Sequence, residues 1–497
     1  MLVGLSVGLS SGVAAVPQRT PSAPTSTAPS TSSETTGVLP ESSQASSALH
    51  HASSTHGAAG AGDRYFPLDG NGGIDVIHYD IRNRYDFDSG VLQGRTVLTL
   101  RATQDLTRFN LDLLLRPTAV KVDGKRARFR KDGKHELVIR PAKKLRRGAK
   151  VKVVVRHVGR PAKLSYRGQK GWFSSRKEVV AVNQPHIAPW WFAANDHPSD
   201  KATFTVQVSV PKGKEVISGG RLLSRRTQGA RTVWRWGARD PMATYLAYFV
   251  AGDFKIARGR TKGLPWLVAV SENLDPYSQR ASMKQLKKSA TYVRWLEKHL
   301  GRYPFETTGG VAVGLDLDFA LENQTRPVYP GFWYNDPELV VHELAHQWVG
   351  DSVSIMRWRD IWLNEGLATF MEMRWAEAAG GRRAQSVVEA LWRDEPAGSS
   401  FWKVMPGRPG AHHIFDDAVY DRGGAAVQAL RTRVGEAAFR TILTTWTSRH
   451  AGGHGTSADF EALAQQVSGQ DLSSFFTAWL RTPSRPAHTV ANGFLPR

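Results

Sequence analysis

The chain has no cysteine in 497 residues, which excludes disulfides, thiolate metal sites, a cysteine nucleophile and a lipid-modified N-terminal cysteine. Any metal must rest on histidine and carboxylate. Long apolar runs are scarce as well. Residues 2–15 are small and apolar but too short to span a bilayer, so no transmembrane anchor is expected. Val13-Ala14-Ala15 resembles a small-residue cleavage site, and although a basic start is missing, residues 1–15 read as a signal segment of a secreted or cell-envelope protein. Large apolar side chains are almost absent from 16–62, which is rich in Ser, Thr, Pro and Ala. Such a stretch cannot offset its ordering entropy and reads as a disordered linker, with His50, His51 and His56 as solvated tail residues. Acid is in short supply, with 44 Asp and Glu against 66 Lys and Arg, a formal charge of +22. Much of the excess falls between Lys121 and Lys177, with Lys125, Arg126, Arg128, Arg130 and Lys131 in one run. This field would draw weak association with anionic envelope polymers or a membrane surface. No nucleic-acid motif accompanies it, so no specific nucleic acid is expected, and solvated strand faces are the plainer account.

The length implies two or three domains. From 63 to 256 short runs of strand-forming residues alternate with turn residues, as in 91–100, 136–139, 151–155 and 203–208. Asp123-Gly124 is a tight-hairpin signal, and Lys131-Asp132-Gly133-Lys134 repeats it. This region reads as an all-β domain. Trp190 and Trp191 read as core, and His186 has no partner that the sequence names. A buried-strand run, 245–250, ends the domain, and the boundary falls near Ala257. From 257 to 497 the pattern is mainly helical: 278–300 carries Leu286, Val293, Leu296 and Leu300 at near-helical spacing and stops at Gly301.

His342-Glu343-Leu344-Ala345-His346 places two imidazoles one helical turn apart, able to share one metal ion, with a carboxylate beside the first. Asp336 suits the N-cap, Pro337 the first turn, and Gly350 a stop past Val349. In Asn364-Glu365-Gly366, Glu365 follows His346 after 18 residues, enough for a turn and a return helix that brings a third ligand. Two histidines and a glutamate with a fourth position left to water form the catalytic kind of zinc site, holding one Zn2+. Glu343 is then placed as general base.

Phe319-Ala320-Leu321-Glu322-Asn323 upstream and Tyr420-Asp421-Arg422-Gly423-Gly424 downstream complete four spaced motifs. Together they resemble the gluzincin aminopeptidase family, of aminopeptidase N and leukotriene hydrolase type, in a short form without the large C-terminal helical domain. The resemblance implies an α+β multidomain fold, an N-terminal all-β domain before a mainly helical thermolysin-like zinc peptidase domain with a short helical end and an open cleft. It implies hydrolysis of the N-terminal bond of peptides with a free amine. Glu322 would bind the α-ammonium with help from Asn323 and Gln184, and Tyr420 would stabilise the oxyanion. Phe319 stands where the family has Gly, and Leu321 where it has Met. Two other readings compete: a zinc epoxide hydrolase, and an envelope or polyanion-binding protein with a vestigial zinc site.

Overall fold

The computed structural model describes residues 55–496. The expected signal segment and most of the expected linker lie outside the described residues, as do His50 and His51. The linker's expected end, 55–62, belongs instead to the β domain. Gly57 N donates to Arg108 O at 2.8 Å and Ala61 N to Asp69 O at 2.9 Å. Small residues permit this approach: a Cβ on Gly57 would lie 2.5 Å from Gly72 O. Among the described residues no helix is long and apolar enough to cross a membrane.

The β domain is built on an eight-stranded sheet. Its order is Arg221–Gln228, Arg231–Met242, Ala202–Pro211, Ile74–Tyr85, Leu92–Ala102, Lys150–Gly159, Arg116–Val122, Lys125–Arg126. Only Ile74–Tyr85 with Ala202–Pro211 is parallel among these neighbours. Alternation is visible in Lys150–Gly159, where Val151, Val153 and Val155 are buried and Lys150, Lys152 and Arg156 exposed. The Asp123-Gly124 turn forms as expected, both residues with positive φ (45° and 76°) between paired Val122 and Lys125. The basic run falls on exposed positions of Lys125–Arg126 and Arg128–Asp132, except Lys131, which is half-buried. A three-stranded sheet joins Phe109–Asp112, Glu136–Arg140 and Arg128–Asp132, and a four-stranded one joins Glu215–Ser218, Phe249–Gly252, Val179–Ala181 and Phe173–Ser174. Trp190 and Trp191 are fully buried.

Strand pairing changes sheets at Asp253, a few residues before the boundary expected near Ala257. Phe249–Gly252 pairs within the β domain, whereas Phe254–Thr261 opens a second sheet with Leu264–Ser271, Thr308–Val313 and Val328–Pro330. Two helices, α1 (Pro276–Leu286) and α2 (Ser289–Leu300), occupy the expected single segment and break at Lys287-Lys288. The buried stripe Tyr292, Val293, Leu296 and Leu300 packs α2 on the core, and Gly301 ends it with φ 84°. Then come α3 (Pro337–Ala345), α4 (Trp362–Ala378) and the helices Gly423–Val434, Glu436–Arg449 and Ser457–Ser468. The run 245–250 is not one strand: Thr244–Leu246 is a single 3-10 turn and the strand starts at Phe249. An unbroken buried apolar run carries no period that separates a turn from a strand.

Candidate active site and metal centre

Asp336 caps α3, accepting from Leu339 N at 3.0 Å, with Pro337 in the first turn. The α-helix ends at Ala345 rather than Val349. His346 N still bonds His342 O, and the chain then loosens, with Asp351 N donating to His346 O. This leaves Val349 O free to accept from His346 Nδ1 at 3.0 Å. His342 Nδ1 faces the Glu372 carboxylate. Both imidazoles therefore carry their proton on Nδ1, and both Nε2 lone pairs point inward.

The two Nε2 atoms are 3.0 Å apart, and Glu365 Oε2, on α4, lies 3.5 Å from His342 Nε2 and 3.3 Å from His346 Nε2. All three residues are buried. Three potential donor atoms converge on one point, where a bound cation, or else protons on the imidazoles, would balance the carboxylate. Ligands about 2.0–2.1 Å from a tetrahedral zinc sit at about this mutual spacing. The local field draws positive charge to this point. Burial would lower the His346 pKa, but the Glu365 and Glu322 carboxylates raise it to about 9. Burial would raise Glu365, yet His346 and His342 hold it at about 2. Glu343 is buried between these groups, and burial pushes it up to about 8 against the pull of the two histidines.

Tyr420 lies in a π-helical turn, Ala418–Arg422, of the kind that often marks functional positions. Its ring stacks on His342 with centroids 6.1 Å apart. Burial and the carboxylates of Glu365, Glu322 and Glu343 push its pKa up, so the phenol keeps its proton to donate. The turn is pinned by Arg422, which is fully buried and donates to Trp402 O and Thr482 O at 2.7 Å each.

Glu322 follows Leu321, whose backbone pairs with Val328 at 2.8 and 2.9 Å, so the motif runs along the sheet edge. Glu322 Oε1 accepts from Gln184 Nε2 at 3.2 Å and from Tyr245 Oη at 3.0 Å. It lies close enough to the metal ligands for His346 and Glu365 to shift its titration. Asn323 Nδ2 donates to Leu246 O at 3.1 Å and holds the loop, while its side-chain oxygen has no hydrogen-bond partner. Phe319 meets Phe173 edge to face at 6.0 Å.

Two models of one family match segments of the chain: the Peptidase M1 N-terminal domain over residues 76–246 and the Peptidase family M1 domain over 335–479. The chain belongs to peptidase family M1. Within M1 it is 24% identical over 445 residues to Probable aminopeptidase 1 of Sulfurisphaera tokodaii, covering 84% of this chain and 54% of that protein. Aminopeptidase N of Lactococcus lactis is 26% identical over 357 residues, 66% of this chain and 41% of that protein. The chain thus spans about half or less of the length of these curated relatives. A crystal structure of an M1 zinc metallopeptidase from Deinococcus radiodurans is similar over nearly all of its length. The match covers 86% of this chain and 98% of that one, with a TM-score of 0.77 and 28% identity. A mutant of that enzyme has been crystallised with a Tyr-Ser-Ala substrate. The M1 architecture agrees with the expected order, a β-rich domain before a helical peptidase domain, and a matched M1 zinc metallopeptidase structure is described as two-domain.

Three residues that build this M1 site went unremarked in the sequence. Glu372 orients His342. Gln347 donates to Glu322 O at 3.0 Å and accepts from Thr325 N at 2.6 Å, fixing a loop in which Thr325 has φ 71°. Tyr245, hidden in its apolar run, supports Glu322.

Proposed function

We propose that the chain is a zinc aminopeptidase that removes the first residue of peptides with a free N-terminus. The observation that carries this reading is the Glu322 carboxylate, held by Gln184 and Tyr245 beside a two-histidine, one-glutamate metal centre. A generic zinc hydrolase needs no such fixed negative charge. One placed here binds an α-ammonium and leaves only the first peptide bond within reach of the centre. The chemistry supplied when zinc is bound is polarisation of the carbonyl and acidification of a water. Glu343 would accept a proton from the attacking water and return one to the leaving amine. Tyr420 donates to the oxygen on which negative charge develops. Glu322 and Gln184 set the register, and Phe319 with Phe173 places aromatic surface beside this motif.

The test is hydrolysis of aminoacyl-arylamides and their N-acetylated counterparts by the purified chain and its Glu343→Gln variant, with metal content measured. Only free-amine substrates should be cleaved, and the variant should lose at least about a thousandfold in kcat while keeping its metal. Cleavage of acetylated substrates would overturn the role of Glu322. Turnover of a lipid epoxide without arylamide cleavage would move the reading to an epoxide hydrolase.

A further inference from the structure

Among the described residues, three His, Asp or Glu side chains converge within 4.8 Å in one place besides the catalytic centre: Asp112, His135 and Glu136. All are buried, deep in the β domain. Strand pairing sets Asp112 opposite Glu136, and the Gly133 hairpin delivers His135 just before it. Asp112 Oδ1 lies 3.7 Å and Glu136 Oε1 3.6 Å from His135 Nε2. Leu68 O, at 3.0 Å, and Tyr166 Oη, at 3.2 Å, close on the same nitrogen.

The outer oxygens of the two carboxylates are already engaged. Asp112 Oδ2 accepts from Asp196 N at 2.7 Å and Asn71 Nδ2 at 3.2 Å, and Glu136 Oε2 accepts from Asn110 Nδ2 at 3.0 Å. The inner oxygens, Asp112 Oδ1 and Glu136 Oε1, have no hydrogen-bond partner, nor do the side-chain oxygens of Asn71 and Asn110. Lys131 feels both carboxylates but donates its ammonium to Leu113 O. Two buried carboxyl oxygens aimed at one point need a positive charge or a shared proton between them. His135 has one Nε2 proton to give, and Leu68 O is its nearest acceptor.

We propose that the β domain holds a second, structural metal site, in which Asp112, Glu136 and His135, with the Leu68 carbonyl, bind a first-row divalent cation. An imidazole among oxygen donors favours zinc or manganese over calcium. The site ties the segment around Leu68 to the hairpin. The neighbouring Asp69 Oδ2 lies 3.0 Å from His186 Nδ1, two residues beyond Gln184.

The experiment is metal counting by mass spectrometry on the full chain, dialysed after loading with Zn2+ or Mn2+. Two equivalents are expected in the parent. The double variant Asp112→Asn with Glu136→Gln should hold one and keep its arylamidase kcat. Should that variant fail to fold, a His346→Ala and Glu365→Gln variant leaves the β domain intact. It should still bind one equivalent, and Zn2+ or Mn2+ should raise its Tm by about 5 °C. One equivalent in the loaded parent, or no metal and no shift in the catalytic-site variant, would overturn the proposal and leave Asp112 and Glu136 as carboxyls sharing a proton.

Discussion

An imidazole can offer a metal only the nitrogen that carries no proton, so the partner of its other nitrogen decides whether it is a ligand at all. For His346 that partner is a backbone carbonyl, which no substitution removes. For His342 it is Glu372, about one-quarter exposed, and here a side chain can be tested. Glu372→Ala should weaken zinc about 10- to 100-fold by competition against a chelator, while saturating zinc restores most of kcat. A kcat that stays low with zinc bound would instead make Glu372 part of the reacting set. This residue shows where the sequence stops being readable. His342, Glu343, His346 and Glu365 stand in spacings that a single ion dictates, so they were legible. Glu372 follows Glu365 by seven residues, two turns along the same face of α4, yet Glu377 beyond it is equally acidic and lies elsewhere. Gln347 and Tyr245 act through contacts between distant segments, which no local pattern encodes.

Helices meet at the site closely enough to exclude side chains, and glycine fixes how they meet. A Cβ on Gly366 would lie 2.8 Å from Gly423 C and 3.0 Å from its Cα, backbone atoms that cannot swing aside. Gly366 adjoins the ligand Glu365, and Gly423 follows the turn that carries Tyr420. Gly366→Ala should therefore force α4 and that turn apart, costing about 1–3 kcal/mol of stability. It should lower kcat about 10- to 100-fold with zinc retained, through the displaced phenol. Thermal unfolding and single-turnover rates on metal-loaded protein check this, and native stability with native kcat would refute it. Other elements were legible to differing degrees. The strands of the β domain stood out because one buried face imposes a period of two. The peptidase domain's sheet did not: Phe254–Thr261 has no buried residue after its first, and its partner Leu264–Ser271 is buried almost throughout. The Lys262-Gly263 turn between them, with φ 45° and 83°, is the one local signal that marks the pair.

The two domains are joined by buried polar side chains that reach across the boundary. Lys201 donates to Asp351 O and Ser352 O at 2.8 Å each, Arg326 donates to Ser218 O and Gly220 O, and Asp63 accepts from Trp358 N at 2.8 Å. Stability against acid is accordingly a property of the whole molecule, and its buried groups pull in opposite directions. Burial raises Asp196 to about 7 and Asp200 to about 8, so the native state takes up protons before the unfolded chain does and gains stability as pH falls through that range. His157 works the other way. It sits in the sheet opposite Gly94, where a Cβ would lie 2.1 Å from its Nε2, and burial lowers its pKa from 6.5 to about 4. Between those values the unfolded chain binds a proton that the native state refuses, so stability is lost as pH falls from about 6.5 and levels off below about 4. Because the carboxylates oppose this, the readout is the difference between parent and His157→Gln, from urea unfolding at several pH values. That difference should be constant above pH 7 and drift toward the variant by on the order of 3 kcal/mol by pH 4. A difference that does not change with pH would mean that His157 titrates alike in both states, and that acid acts on the fold through other groups.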